Sequence, residues 1–104
     1  MNIIEEIKTS IKNPLTCIIT FKNEKDEIEK TVKSIRNTTK NVNILLVNDG
    51  SNDSTDYLEV AKKYKCSYIY NEESLGVAGA RDLGVKECIT PYFVLLDGHM
   101  RFYD

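Results

Sequence analysis

The stretch LTCIITF, Leu15 to Phe21, then the spaced trio Ile28, Val32 and Ile35, then ILLV, Ile44 to Val47, decides the fold. The two flanking runs are short, continuous and apolar, and they lack glycine, as strands buried on both faces do. Pro14 marks where the first begins. Between them, past a polar turn at Lys22 to Lys25, apolar residues recur at i, i+4 and i+7 among Glu, Lys and Arg, the pattern of a helix covering a sheet. Asn41 to Asn43 reads as the turn into the second strand. Working outward, the alternation continues. A helix is expected from about Thr55 to Tyr64, capped by Ser54 and turning Tyr57, Val60, Ala61 and Tyr64 to one side. Ser67 to Tyr70 is a weaker strand, Asn71 to Gly76 a loop, and Val77 to Cys88 a third helix. Tyr92 to Leu96 (YFVLL) is a fourth strand, set off by Pro91. Three strand–helix–strand units predict an α/β fold: a Rossmann-like open parallel sheet of about four strands, order 3-2-1-4 counted from Leu15, flanked by helices. Upstream, Ile4, Ile7 and Ile11 stand at helical spacing, so residues 1–13 read as a helical extension against the domain edge.

With 104 residues, 41% apolar and 29% charged, the chain has the makings of one globular domain. Its 14 Lys and Arg against 16 Asp and Glu leave a net charge of −2, which argues against a nucleic-acid partner. No apolar run approaches the roughly 18 residues that would span a bilayer. The start, Met1 to Lys12, mixes Ile with Glu, Lys and Asn and carries no signal-peptide core. Cys17, Cys66 and Cys88 are odd in number and not closely paired. They read as reduced thiols acting as small buried hydrophobes, and the location expected is cytoplasmic, any membrane association coming from regions outside this chain.

Open parallel sheets bind ligands beyond the carboxyl ends of their strands, near the reversal of strand order. The residues there are Thr20, Lys22, Asn23 and Glu24; Asn48, Asp49 and Gly50; the loop ending at Gly76; and Asp97, Gly98 and His99. Asp97 and His99, one residue apart after a buried strand, can reach one divalent cation, and oxygen with imidazole nitrogen suits Mn2+, Zn2+ or Fe2+ better than Ca2+. A turn-forming Asp beside a surface His reads the same way on spacing alone. Asp49 sits in a turn where Asp is common for backbone reasons. Arg81, on a helix beginning Val77, Ala78, Gly79, Ala80, suits an anionic phosphate at a helix N-terminus, or else the small residues simply allow close packing. No Gly-x-Gly-x-x-Gly, Walker A, paired zinc cysteines or Gly-x-Ser-x-Gly elbow is present.

Taken together, four segments in order, spanning about Leu15 to Asp104, resemble the nucleotide-sugar-binding half of GT-A-fold glycosyltransferases of family 2. They are TCIITFKNE (Thr16 to Glu24), LVNDGSNDST (Leu46 to Thr55), GVAGARDLG (Gly76 to Gly84) and LLDGH (Leu95 to His99). The last stands where the family has Asp-x-Asp; Asp-x-His is similar to the polypeptide N-acetylgalactosaminyltransferases and points to an N-acetylhexosamine donor. The resemblance implies a partial GT-A fold and a UDP-sugar donor. Around that donor it sets Thr20, Phe21, Asn23, Glu24, Asp49, Gly50, Gly76, Arg81 and Asp97. Thr20 would lie near the nucleoside, Asp49 would hold the uracil edge and Arg81 would meet the nucleotide or diphosphate. Asp97 and His99 would hold Mn2+ or Mg2+ against the diphosphate leaving group. Lys22 departs from the family's usual Tyr, Asn48 from its first Asp and Asp82 from its usual Asn.

The family's second half carries the acceptor site, so residues 1–104 are expected to be one domain of a longer glycosyltransferase. Alone, the chain is expected to bind donor without transferring sugar to its acceptor, whether glycan, lipid or protein. The outer edge of the fourth strand is expected to invite self-association. The rival reading is a non-catalytic nucleotide-binding or assembly module. A nucleotidyltransferase would call for a Gly-rich loop where Lys22-Asn23-Glu24-Lys25 stands, and a response-regulator receiver for an acidic pair where only Glu24 lies near.

Overall fold

In chain order the computed structural model contains β1 (Ile3–Ile7), β2 (Leu15–Phe21), α1 (Glu27–Thr38), β3 (Asn43–Asn48), α2 (Tyr57–Lys63), β4 (Ser67–Asn71), α3 (Gly76–Glu87) and β5 (Tyr92–Asp97). It describes residues 3–7, 14–39 and 41–99. The five strands make one sheet, ordered β1-β4-β3-β2-β5. Strands β4, β3, β2 and β5 run parallel, which is the expected order 3-2-1-4. The chain steps from β2 out to β4 and then returns across β2 to β5, so strand order reverses beside β2.

The helical extension expected over residues 1–13 is corrected where the structure describes it. Ile3–Ile7 is a strand, antiparallel to β4, with Ile3 opposite Asn71 and Ile7 opposite Tyr68. The reason is that β4 would otherwise end the sheet with a row of open backbone groups, and pairing them outweighs a weak helical period. The rest of that extension lies outside the described residues. The second helix also starts later than expected. Ser54 takes a left-handed φ of 66° and does not cap it. Instead Asp56 accepts a hydrogen bond from the Glu59 backbone N–H at 3.0 Å. A residue already turned that way in the loop cannot lead into the helix.

Alternation along the strands divides the core in two. Cys17, Ile19 and Phe21 of β2 join Ile44, Leu46, Tyr68 and Leu96 under α1 and α2, where Ile28, Val32, Ile35, Tyr57 and Ala61 meet them. Ile18, Leu45, Val47 and Ile69 face the other way, against Ala80 and Leu83 of α3. Arg36 ties the first of these layers together, donating from Nε to the Tyr64 carbonyl at 3.0 Å and also to the carbonyls of Val42 and Lys65. Of the cysteines, Cys17 and Cys66 are buried and Cys88 is half-buried, all unpaired. Burial pushes the Cys66 thiol up to about 12.

Close packing explains the small residues of α3. A Cβ on Gly84 would stand 2.5 Å from Ile18 Cγ2 and 3.4 Å from Val47 Cγ2. Alanine there is therefore expected to destabilise the fold by about 1–2 kcal/mol, because overpacking exceeds the helix propensity gained. Thermal unfolding checks this: the midpoint should fall by roughly 4–16 °C. An unchanged or higher midpoint would show that α3 can lift off the sheet at little cost.

β5 differs from the expected buried strand. Only Leu96 is covered, while Tyr92 is 66% and Phe93 45% exposed, with Val94 and Leu95 also open. These apolar side chains lie on one of the two edge strands of the sheet, the edge anticipated from the sequence.

Candidate functional site

A cleft of about 280 Å³ opens at the carboxyl ends of the parallel strands, where strand order reverses. β2 and its turn supply Thr20, Phe21, Lys22 and Glu24; β3 supplies Asp49; the start of α3 supplies Ser74, Gly76, Val77 and Ala80; and β5 supplies Asp97, Gly98 and His99. Two larger hollows, of about 420 and 600 Å³, flank α2. They are lined by the 51–56 loop and helix side chains and lack the pairing of carboxylate with imidazole, so the chemistry points to the smaller cleft.

The end of β5 is seated by packing. Gly98 is buried, and a Cβ on it would stand 2.8 Å from Ile28 Cδ1, 2.9 Å from Phe21 Cβ and 3.0 Å from Glu24 Cγ. The Thr31 hydroxyl donates to the Gly98 carbonyl at 2.8 Å. Gly98 thus lets the chain press against β2 and α1, and it anchors Asp97 and His99 on either side. Asp97 is in register with Thr20 and meets Arg81 of α3, with Nη2 3.3 Å from Oδ1. Both side chains of that pair are about half exposed, so the pair itself is worth well under 1 kcal/mol. Among the described residues, Arg81 Nε is buried without a partner. His99 turns to the other wall, with Nδ1 3.4 Å from Glu24 Oε1.

Asp49 has a part that spacing did not show. Oδ1 accepts from the Leu75 N–H at 2.8 Å and from Asn71 Nδ2 at 3.3 Å. Oδ2 accepts from the Ser74 hydroxyl at 2.8 Å and the Gly76 N–H at 3.0 Å. Asp49 is buried, and its carboxylate latches the loop between β4 and α3. It also sits at the N-terminus of α3, where it takes up the Leu75 and Gly76 N–H groups. Gly50 and Gly76, at φ 81° and 80°, take left-handed turns beside this latch. Gly76 faces open space, whereas Gly50 lies under Ser74 and Asn71 and outside the cleft.

Asn23, expected at the nucleotide, lies outside the lining of this cleft and clasps the neighbouring loop. Its Oδ1 accepts from the Asn52 N–H at 2.8 Å, and its own N–H donates to the Ser51 hydroxyl at 2.8 Å. Next to it, Asp53 accepts from the Tyr57 hydroxyl at 2.6 Å and from the backbone of Thr55 and Lys25. Partial desolvation raises the Asp53 pKa, yet those hydrogen bonds outweigh it and the carboxyl lies below its ordinary value. A depressed folded-state pKa stabilises above the unfolded value near 4 and loses that contribution as pH falls through the folded one. Thermal midpoints of the wild type should therefore drop more steeply below about pH 4 than those of Asp53→Asn. Parallel pH curves would show that the clasp contributes nothing to stability.

The structure thus brings Thr20, Phe21, Glu24, Asp49, Gly76, Asp97 and His99 to one cleft, with Arg81 reaching it through Asp97. Lys22, Ser74, Val77, Ala80 and Gly98 line it too. Ser74, Val77 and Ala80 went unmarked because sequence shows neither which residue caps the Asp49 latch nor which face of α3 looks inward. Oxygen and nitrogen donors from Asp97 and His99 fit a divalent cation that takes its remaining ligands from phosphate and water, as Mg2+ and Mn2+ commonly do. Among the described residues, no group of three or more His, Cys, Asp or Glu side chains forms an all-protein cage.

A strand-end cleft of this kind, on an open and mostly parallel sheet, lies where α/β folds bind their ligands. The family profile described as glycosyl transferase family 2 matches residues 16–104, and the chain belongs to that family. It is 38% identical over 90 residues to the teichoic acid poly(glycerol phosphate) polymerase of Staphylococcus epidermidis, covering 82% of this chain and 12% of that protein. It is 35% identical over 85 residues to the UDP-Glc:alpha-D-GlcNAc-diphosphoundecaprenol beta-1,3-glucosyltransferase WfaP of Escherichia coli, covering 80% of this chain and 34% of that one. Among solved structures, the mannosyltransferase PcManGT of Pyrobaculum calidifontis, in complex with GDP-Man and Mn2+, superposes with a TM-score of 0.74 at 17% identity. That match covers 86% of this chain and 28% of the other, and shows the GT-A fold. The chain spans about an eighth to a third of the length of these relatives. Among the described residues, no helix is long and apolar enough to cross a membrane.

Proposed function

We propose that this chain is the donor-binding part of a glycosyltransferase that takes a UDP-sugar together with Mn2+ or Mg2+. The observation that carries the reading is that Asp97 and His99 line one strand-end cleft, with Arg81 paired to Asp97. The family membership gives the reaction class, and the UDP-glucose in the name of the Escherichia coli relative supports uracil as the base. Asp97 and His99 would hold the cation. When bound, it would supply Lewis-acid stabilisation of the departing diphosphate. Arg81, only loosely paired, is free to turn to the same anion. Thr20 and Phe21 form the floor toward the nucleoside, and the Asp49 latch holds the facing wall.

A second reading, binding without transfer, has an observation of its own. Each carboxylate of the cleft already has a partner among the described residues: Glu24 faces His99, Asp97 faces Arg81, and Asp49 is engaged by four donors. None stands free as a base for an acceptor hydroxyl.

Calorimetric titration of UDP with and without Mn2+ tests the proposal, and release of UDP from UDP-sugars separates the two readings. Metal-dependent micromolar binding is expected, with Asp97→Asn weakening it at least tenfold, about 1.4 kcal/mol. Absence of heat, or binding indifferent to both metal and Asp97, would overturn it. Turnover by the chain alone would favour the enzyme over the module.

A further inference from the structure

We propose that Glu24 is a positioning residue that sets the tautomer of His99, so that Nε2 is the nitrogen turned to the cation. This rests on the metal reading above. Glu24 Oε1 lies 3.4 Å from His99 Nδ1. An ionised carboxylate only accepts, so a neutral imidazole satisfies this contact when Nδ1 carries the proton. Nε2 is then left with a bare lone pair, the form a metal requires. Histidine ligands commonly donate their second ring N–H to a carboxylate in this way, which fixes the ring and raises its basicity.

The pairing is built into the fold. Glu24 and His99 belong to turns 75 residues apart in sequence. Both turns are seated on one packed point, because Gly98 presses against the Glu24 side chain, Phe21 and Ile28, and the Thr31 hydroxyl holds the Gly98 carbonyl. The Glu24 carbonyl also accepts from the Glu27 N–H at 3.0 Å, tying this turn to the start of α1. Glu24 is the more enclosed partner, 28% exposed in its side chain against 61% for His99. The carboxylate is thus the fixed member, and the imidazole is the one that is oriented. Asp97, paired with Arg81 on the opposite wall, takes no part in this contact.

His99 is the one histidine of the chain, so a long-range proton–nitrogen NMR spectrum of the metal-free protein reads its tautomer without ambiguity. Read on the neutral ring, the wild type should show Nδ1–H with bare Nε2. Glu24→Ala should shift the ring toward Nε2–H, the form favoured in water, and weaken Mn2+ binding, read from free Mn2+ by electron paramagnetic resonance, by about tenfold. Glu24→Gln keeps an acceptor oxygen and should keep most of both properties. A wild-type ring already in the Nε2–H form, or one unmoved by Glu24→Ala, would overturn the positioning role while leaving the metal reading intact. Mn2+ affinity indifferent to His99→Ala would overturn the metal reading, and this proposal with it. The wild-type spectrum and the glutamine variant decide the matter even if the alanine variant fails to fold.

Discussion

Replacing Asp49 with alanine is expected to cost about 3 kcal/mol and to release the loop between β4 and α3. The carboxylate accepts hydrogen bonds from Asn71, Ser74, Leu75 and Gly76. Hydrogen bonds to a charged group are worth roughly 1.5–3 kcal/mol each, though they do not add. Ser74 can turn to water, but Asn71 is fully buried and its Oδ1 already lacks a partner among the described residues. Without Asp49 its amide nitrogen would be stranded as well. For a chain of this size the loss corresponds to a fall of roughly 12–24 °C in the unfolding midpoint. Amide exchange at Leu75 and Gly76 should accelerate along with it. Asp49→Asn, which keeps one acceptor oxygen but turns an NH2 toward N–H donors, should fall between. A midpoint within about 2 °C of wild type, with no faster exchange at those two amides, would show that the latch is not what holds the loop.

The second large effect is expected at Gly98. Even a methyl there would meet Ile28, Phe21 and Glu24 at 2.8 to 3.0 Å, and Phe21 contributes a Cβ that cannot swing aside. Gly98→Ala should therefore destabilise by about 2–3 kcal/mol. It should also push the end of β5 off its seat, carrying Asp97 and His99 with it. Mn2+-dependent UDP binding should fall at least tenfold in the fraction that remains folded. The two measurements together are diagnostic. A stable Gly98→Ala chain with unchanged metal dependence would mean that the turn relaxes without disturbing the two side chains.

The sheet was legible because its signals are local. LTCIITF and NILLVN carry uninterrupted apolar runs, and a strand buried on both faces can hardly be written otherwise. The helices between them announce themselves through Ile28, Val32 and Ile35, or through Tyr57 and Ala61. Strand order followed from short connections and the handedness of crossovers. Ile3–Ile7 was misread because its partner is remote: whether a short mixed segment coils or extends depends on the open edge of β4, some sixty residues away. Exposure along β5 was hidden for a similar reason. An apolar run looks the same whether or not another strand covers it.

The site divides along the same line. Residue chemistry and position after a strand pointed to Thr20, Glu24, Asp97 and His99, which the fold does bring to one cleft, while Arg81 was read from the start of a helix and meets the cleft through Asp97. The division of labour among them needed three dimensions. Asp49 and Arg81 both carry a charge suited to a ligand, yet Asp49 is buried under four donors while Arg81 keeps a weak, half-exposed pair. Asn23 and Asp53 sit inside recognisable motif segments, but their polar groups close one loop on the other rather than reaching the cleft. Hydrophobic period and turn chemistry are properties of neighbours along the chain, and they specified the α/β class and the strand ends. Which carboxylate is left open to the cleft and which is engaged by the protein depends on hydrogen-bond donors brought from distant segments, and only folding supplies those.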